Sequence, residues 1–401
     1  MGCVIIREMT SQDHTSMVGQ GDKILYLSRG GNMDGAQRQL FYLLRGLDRK
    51  RFTPLVLCTH DGQFSRAIQD LNIQLIVRPL AGWRKVKNLF SRYGDAASVS
   101  RVAKDEGISL VHGSDIVLSE YVLRCALSVG VPSILHIRRP IDKRTFEKKR
   151  CSMATALVAI SLRVERRLSQ AAGDSRNKIV LIHDAVDQDL FKPRGYGSHD
   201  NILRSQYRTV DAVLVGMVGR IEKEKEQLAF VKIARLILNK TSRATFFIIG
   251  QIKDTSYYTE IMRYMAANGL LDHVHFTDRI ADIPKVLAEL DVLVSLSGGS
   301  VRYEAMMCGV PVVCGWSRQI EESLHIRHNE TGFLVPERDC GDVARVLLRI
   351  IGDADLREQI GSRARQWALV HLGHSQLVER TQELYQKLLR TEAIEDWEGS
   401  P

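Results

Sequence analysis

Apolar residues fall along this chain in two alternating rhythms, short unbroken runs and longer stretches where they recur every three or four residues. The opening run, "KILYLSRGG", enters glycines, and "DGAQRQLFYLLRGL" behind it has helical spacing. Strand, glycine loop and helix begin a parallel α/β unit. The alternation continues with "FTPLVLCT", "NIQLIVRPL", "ISLVHG", "VPSILHIR", "ATALVAIS" and "NKIVLIHDAVD" as strands. Between them "GQFSRAIQDL", "AASVSRVAKDEG", "EYVLRCALSVG" and "LRVERRLSQAAG" read as helices.

The pattern loosens after "DQDLFKPRGYGSHDN", where Pro193, Gly195 and Gly197 predict a linker, and then restarts. Strands are expected at "AVLVGMVGRI", "ATFFIIG", "HVHFTD", "DVLVSLS" and "VPVVCG". Helices are expected at "EQLAFVKIARLILN", "YYTEIMRYMAANGL", "IPKVLAEL" and "VRYEAMMCG", and the end of the chain is helical. The fold class is therefore α/β, with two Rossmann-like doubly wound domains in succession. The expected organisation is a flexible extension over 1–21, an N-terminal domain over 22–190, a linker over 191–210 and a C-terminal domain over 211–372. A last helix and loose tail over 373–401 are expected to pack back toward the N-terminal domain. Such sheets bind ligands at the carboxyl ends of their strands, so two facing sheets predict a site in the cleft between them.

A length of 401 residues with 44% apolar content suits two soluble domains, and the apolar runs fall short of the roughly 18 residues a membrane span needs. The first residues lack a basic start and an apolar core, so no secretory signal is expected, and Ile6 stands where a myristoylation signal wants Ser or Thr. Seven scattered cysteines without a CxxC pair argue for the reducing cytosol and against a disulfide framework or a zinc site. The net charge of +9 concentrates in "GWRKVKNLFSR" (82–92) and "RRPIDKRTFEKKR" (138–150). Such stretches suit anionic lipid or a phosphorylated small molecule, or are simply a solvated face. Nucleic acid is not expected, since aromatic and basic residues do not interleave.

Two stretches carry candidate chemistry. In "VGRIEKEKEQ" (218–227) a buried strand ends at Gly219, and Arg220 and Lys225 follow in the loop before a helix. Two cations at a strand's carboxyl end suit a di-anion such as pyrophosphate, and the competing reading is a solvated helix start. In "SGGSVRYEAMMCGVPVVCG" (297–315), Gly298 and Gly299 permit a tight turn, Ser300 is a candidate N-cap, and Glu304 lies one turn inside the helix. A carboxylate there can accept both hydroxyls of a ribose, or it pairs with a nearby base, or it faces solvent. His136 and Arg138, two apart on one strand, point to one face, and His136 can be read as a satisfied strand-end residue. The aspartate pairs Asp187/Asp189 and Asp353/Asp355 read as turn and capping residues, so no metal site is expected.

In order, "DGAQ", "HDAVDQDLF", "VGRIEKEK", "YEAMMCGVPVVC" and "NETGFLVPERD" resemble the motifs of the family 4 retaining glycosyltransferases (group 1) with the GT-B fold, over roughly residues 22–390. The resemblance implies metal-independent, hexosyltransferase-type transfer of a sugar from a nucleotide-diphosphate sugar, with no further cofactor and the UDP or GDP choice undetermined. It puts Arg220 and Lys225 on the donor diphosphate and Glu304 on its ribose. Gly219, Gly298, Gly299, Ser300 and Arg279 complete the donor nucleotide site, and Gly31, Asp34 and Gly35 form the N-terminal glycine loop. A sugar-facing histidine of the family aligns with Arg138, with His136 two residues earlier, so the resemblance implies that either could polarise the sugar or phosphate, the satisfied strand-end reading of His136 staying open. The first of the family's two motif glutamates falls on Leu296, which is not acidic. The implied partners are the donor and a carbohydrate or lipid-linked acceptor in polysaccharide or glycolipid assembly, in the cytoplasm and peripherally at an anionic membrane face. Two other readings are a sugar-nucleotide epimerase and a non-catalytic nucleotide-sugar-binding protein.

Overall fold

A computed structural model describes residues 21–83, 89–195, 202–207, 209, 211–277, 282–315 and 325–390. The chain divides into two compact units, the first ending at Ala185 and resuming at His374, the second running Val186–Gly373.

The first unit contains β1 (Asp22–Gly30), α1 (Gly35–Gly46), β2 (Phe52–His60), α2 (Gln63–Asp70), β3 (Gln74–Val77), α3 (Leu89–Asp105) and β4 (Leu110–Gly113). It continues with α4 (Ser119–Val129), β5 (Ser133–Ile137), α5 (Lys143–Lys148), β6 (Ala156–Ala159), α6 (Leu162–Ala172) and β7 (Ile179–Leu181). The described strands form one parallel sheet in the order β3-β2-β1-β4-β5-β6-β7. Alternate residues feed opposite cores: Leu25 and Leu27 of β1 join one apolar cluster, Ile24 and Tyr26 the other. Strands covered on both faces explain the unbroken apolar runs.

The second unit contains α7 (Ile202–Tyr207), β8 (Val213–Val218), α8 (Gln227–Leu238), β9 (Ala244–Ile249), α9 (Thr255–Ala267), β10 (Val274–Thr277) and α10 (Ile283–Glu289). Then come β11 (Val292–Ser295), α11 (Val301–Met307), β12 (Val312–Gly315), β13 (Phe333–Val335), α12 (Cys340–Gly352) and α13 (Ala354–His371). Its described strands are ordered β10-β9-β8-β11-β12-β13, all parallel. Val213, Val215 and Met217 face one core while Leu214 faces the other.

The final helix, α14 (His374–Leu389), belongs to the first unit. Leu377, Val378, Leu384 and Leu388 join the cluster of Leu40, Leu43 and Leu44, and Gln382 accepts the Asp48 amide at 2.8 Å. The crossings at 185/186 and 373/374 lie outside the expected linker of 191–210. Part of that stretch is structured, because α7 buries Leu203 and Arg204. Arg204 pairs with Asp291 at 2.7 Å, and the buried Glu289 carboxylate accepts the Leu203 amide at 2.8 Å. No helix among the described residues is long and apolar enough to cross a membrane.

Candidate active site

The strand order of the second unit turns over between β8 and β11, and the two candidate stretches follow these two strands. Open parallel sheets bind ligands beyond the carboxyl ends of such a pair, because the following loops diverge there. Beyond β8, Gly219 leads to Arg220 and a short 3₁₀ turn over Lys223–Lys225. The aliphatic stem of Lys225 runs back over the strand end: a Cβ added to Gly219 would lie 3.7 Å from Lys225 Cδ. Its ammonium has no carboxylate partner among the described residues. Arg220 is exposed and reaches Glu222 at 2.9 Å.

Neighbouring residues hold this loop. The buried Gln227 donates from Nε2 to the Arg220 carbonyl at 2.8 Å, and Glu226, in the left-handed region at φ +63°, is gripped by Arg338. From β9, Gly250 comes so close that a side-chain carbon there would lie 2.1 Å from the Gly219 carbonyl. Gln227, Gly250 and Arg338 escape sequence reasoning, since a lone Gln, Gly or Arg beside a turn has no distinctive spacing.

Beyond β11, Gly298 and Gly299 adopt φ +72° and +109°, values that side chains with a Cβ resist, and turn the chain into α11. Glu304 is half-buried in the first turn of that helix. Ser300 is helical at φ −67° and makes no capping bond. Its hydroxyl donates to Glu304 Oε1 at 3.2 Å, so it orients the carboxylate rather than capping the helix. Leu296 is 1% exposed and packed in the core. Arg279 lies outside the described residues.

In the first unit the loop after β1 carries Gly31 at φ +78°, held by its amide bond to the His60 carbonyl at 3.2 Å. Asp34 precedes α1 without a side-chain capping bond, and a Cβ on Gly35 would meet nothing within 4 Å. Packing therefore does not account for glycine at 35.

His136 lies within β5, whereas Arg138 follows its last residue, Ile137. Arg138 reaches the rim, where Nε donates to the Ser114 carbonyl at 2.8 Å and Nη1 pairs with Asp184 at 2.7 Å. His136 is 3% exposed and its ring stacks on His112 at 4.7 Å between centroids. Neither of its ring nitrogens finds a hydrogen-bond partner among the described residues. Burial, with His112 and Arg138 nearby, holds its pKa well below the ordinary value. His112 in turn meets the Tyr385 hydroxyl at 2.6 Å, and Tyr385 bonds to Tyr26 at 3.0 Å. Of the two readings of His136, a polarising group or a satisfied strand-end residue, the structure shows a side chain buried in the core, because periodicity selects a face and not a depth.

Residues 33–190 match the model for glycosyltransferase family 4, and residues 200–367 match the model for glycosyl transferases group 1. The chain belongs to the family 4 glycosyltransferases. A D-inositol 3-phosphate glycosyltransferase of Thermomonospora curvata is 26% identical over 318 residues, covering 74% of this chain and 70% of that protein. The capsular polysaccharide biosynthesis glycosyltransferase CapM of Staphylococcus aureus is 22% identical over 252 residues, covering 61% of this chain and 64% of its own. The Anabaena HepE structure in complex with UDP and glucose superimposes with a TM-score of 0.71 at 21% identity, covering 92% of this chain and all of that one. This family 4 transferase thus has the GT-B type of fold, two Rossmann-like α/β units.

Proposed function

We propose that this glycosyltransferase moves a sugar, with retention of configuration, from a nucleotide-diphosphate sugar to a carbohydrate or lipid-linked acceptor in cell-surface polysaccharide or glycolipid assembly. The observation that carries the reading is the placement of Arg220, Lys225 and Glu304 on the two strands that flank the turnover of the second sheet. In this reading the two cations take the diphosphate and Glu304 takes the ribose hydroxyls. The bond from the anomeric carbon to the phosphate oxygen breaks, and the acceptor oxygen bonds to that carbon from the same face. Its proton passes to the departing phosphate, which removes the need for a side-chain base. Arg220 and Lys225 stabilise the charge that grows on the diphosphate, as preorganised cations do for phosphate leaving groups. No metal or further cofactor is invoked.

The names of the relatives support the acceptor class, one acting with inositol phosphate and one in capsular polysaccharide synthesis. The UDP and glucose bound to the HepE structure favour a uridine donor. Thermal shift against UDP, GDP and ADP tests the donor reading, since a ligand that binds only the folded state raises its stability. UDP should raise the melting temperature most, and Glu304→Gln should reduce the gain. A rise that is equal for all three and unchanged in Glu304→Gln would remove that residue from the ribose.

A further inference from the structure

Around the start of α3 the first unit exposes apolar side chains among cations. Phe90 is 90% exposed and Tyr93, one turn along, is 50% exposed. Trp83 packs edge-on against Tyr93 at 5.5 Å, and the guanidiniums of Arg92 and Arg124 lie over both rings, at 4.7–5.3 Å from their centroids. The patch extends across the start of α4, where Glu120 is shared by Arg124 at 3.3 Å and Arg150 at 3.9 Å. Val117, 48% exposed, carries the carbonyl to which Lys149 donates at 3.3 Å.

The charge of this patch is positive. Arg92, Arg124, Lys149 and Arg150 face Glu120 and Asp95, and Asp95 is turned toward the Ala81 amide at 2.9 Å. A soluble polyanion would use these cations but has no use for a phenyl ring held in water. An anionic lipid interface takes both, because rings settle at headgroup depth while guanidinium and ammonium groups meet lipid phosphates. The stacked guanidiniums also hold the Trp83 and Tyr93 rings in place before docking.

We propose that this patch, with Phe90 at its tip, seats the first unit on an anionic lipid surface. The proposal rests on the lipid-linked acceptor reading only for its purpose; vesicle binding needs no turnover, so either can fail alone. The test is co-sedimentation of the full chain with phosphatidylcholine vesicles, with or without phosphatidylglycerol. The wild type should bind the phosphatidylglycerol vesicles and much less to phosphatidylcholine alone. Phe90→Glu should lower the bound-to-free ratio by about tenfold or more, as expected for losing a buried aromatic ring and adding a repelled charge. Arg150→Ser should weaken binding several-fold and flatten its salt dependence. Because Phe90 is exposed, an unchanged melting temperature in Phe90→Glu certifies its fold. The proposal is overturned if the wild type ignores anionic vesicles, or if Phe90→Glu binds them as well as the wild type. It is equally overturned if a soluble acidic polysaccharide binds tightly with no dependence on Phe90.

Discussion

In the first unit the guanidiniums at the strand ends meet carboxylates: Arg29 lies 3.1 Å from Asp115 and Arg138 lies 2.7 Å from Asp184. In the second, Arg220 meets Glu222 from a side chain that is 62% exposed, and Lys225 has no carboxylate partner among the described residues. Exposed pairs are worth little and exchange readily with other anions, whereas the Arg138 side chain is only 15% exposed and also bonds a backbone carbonyl. Two parallel sheets of the same kind thus carry two kinds of rim. The neutralised one suits a hydroxyl-bearing ligand, and the one with positive charge to spare suits a diphosphate.

The sharpest way to separate the units is acid. His112 sits in the first unit's core with its pKa pushed down to about 3, mainly by burial. Since the folded value lies below the unfolded one of about 6.5, the unfolded chain binds the proton more readily. Stability is complete above about pH 6.5 and falls from there toward pH 3, by at most on the order of 5 kcal/mol for this one residue. His136 shifts in the same direction and adds to the loss. Melting and hydrogen exchange between pH 7 and pH 4 should show the first unit, including α14, opening before the second. Simultaneous opening would contradict this.

Next in size is a pair of glycines. Gly250→Ala forces a carbon to within 2.1 Å of the Gly219 carbonyl at φ +151°. It should cost about 2–3 kcal/mol in a denaturant titration and disturb the Arg220 loop. Gly35→Ala, which meets nothing within 4 Å, should leave stability unchanged, and a loss of turnover there would mark a ligand's approach to α1.

Lys225→Ala should lower transfer at least tenfold, about 1.4 kcal/mol of transition-state stabilisation. Arg138→Ala should leave nucleotide stabilisation intact, because its partner is Asp184. The smallest contrast is between two serines. Ser161 caps α6 through the Val164 amide, so Ser161→Ala should cost about 1 kcal/mol in chemical unfolding. Ser300→Ala removes no cap and should be near neutral for stability.

The alternation of strands and helices was legible because strands buried on both faces need unbroken apolar runs, as in "VLVGMV" of β8. The strand-end chemistry was legible for the same reason, since loops at carboxyl ends are where an α/β sheet can place charge. Depth was not legible. His136 lies within β5 and is buried, while Arg138 follows its last residue, Ile137, and reaches Asp184, and the alternation of the sequence does not show where the strand ends. The short helices α5 and α7 hid in charged and turn-rich stretches, where tertiary partners such as Glu289 and Asp291 outweigh weak local propensity. The crossing at 185/186 was unreadable because Val186, beyond it, answers to a distant residue, donating its amide to Leu372 at 2.7 Å.

The proposed function requires a nucleoside diphosphate at the carboxyl ends of β8 and β11. A crystal structure of the chain soaked with UDP tests it most directly. The account predicts phosphate oxygens against Arg220 and Lys225, and both ribose hydroxyls on Glu304. A diphosphate bound on the first unit, or on the second with those three side chains turned away, would contradict it.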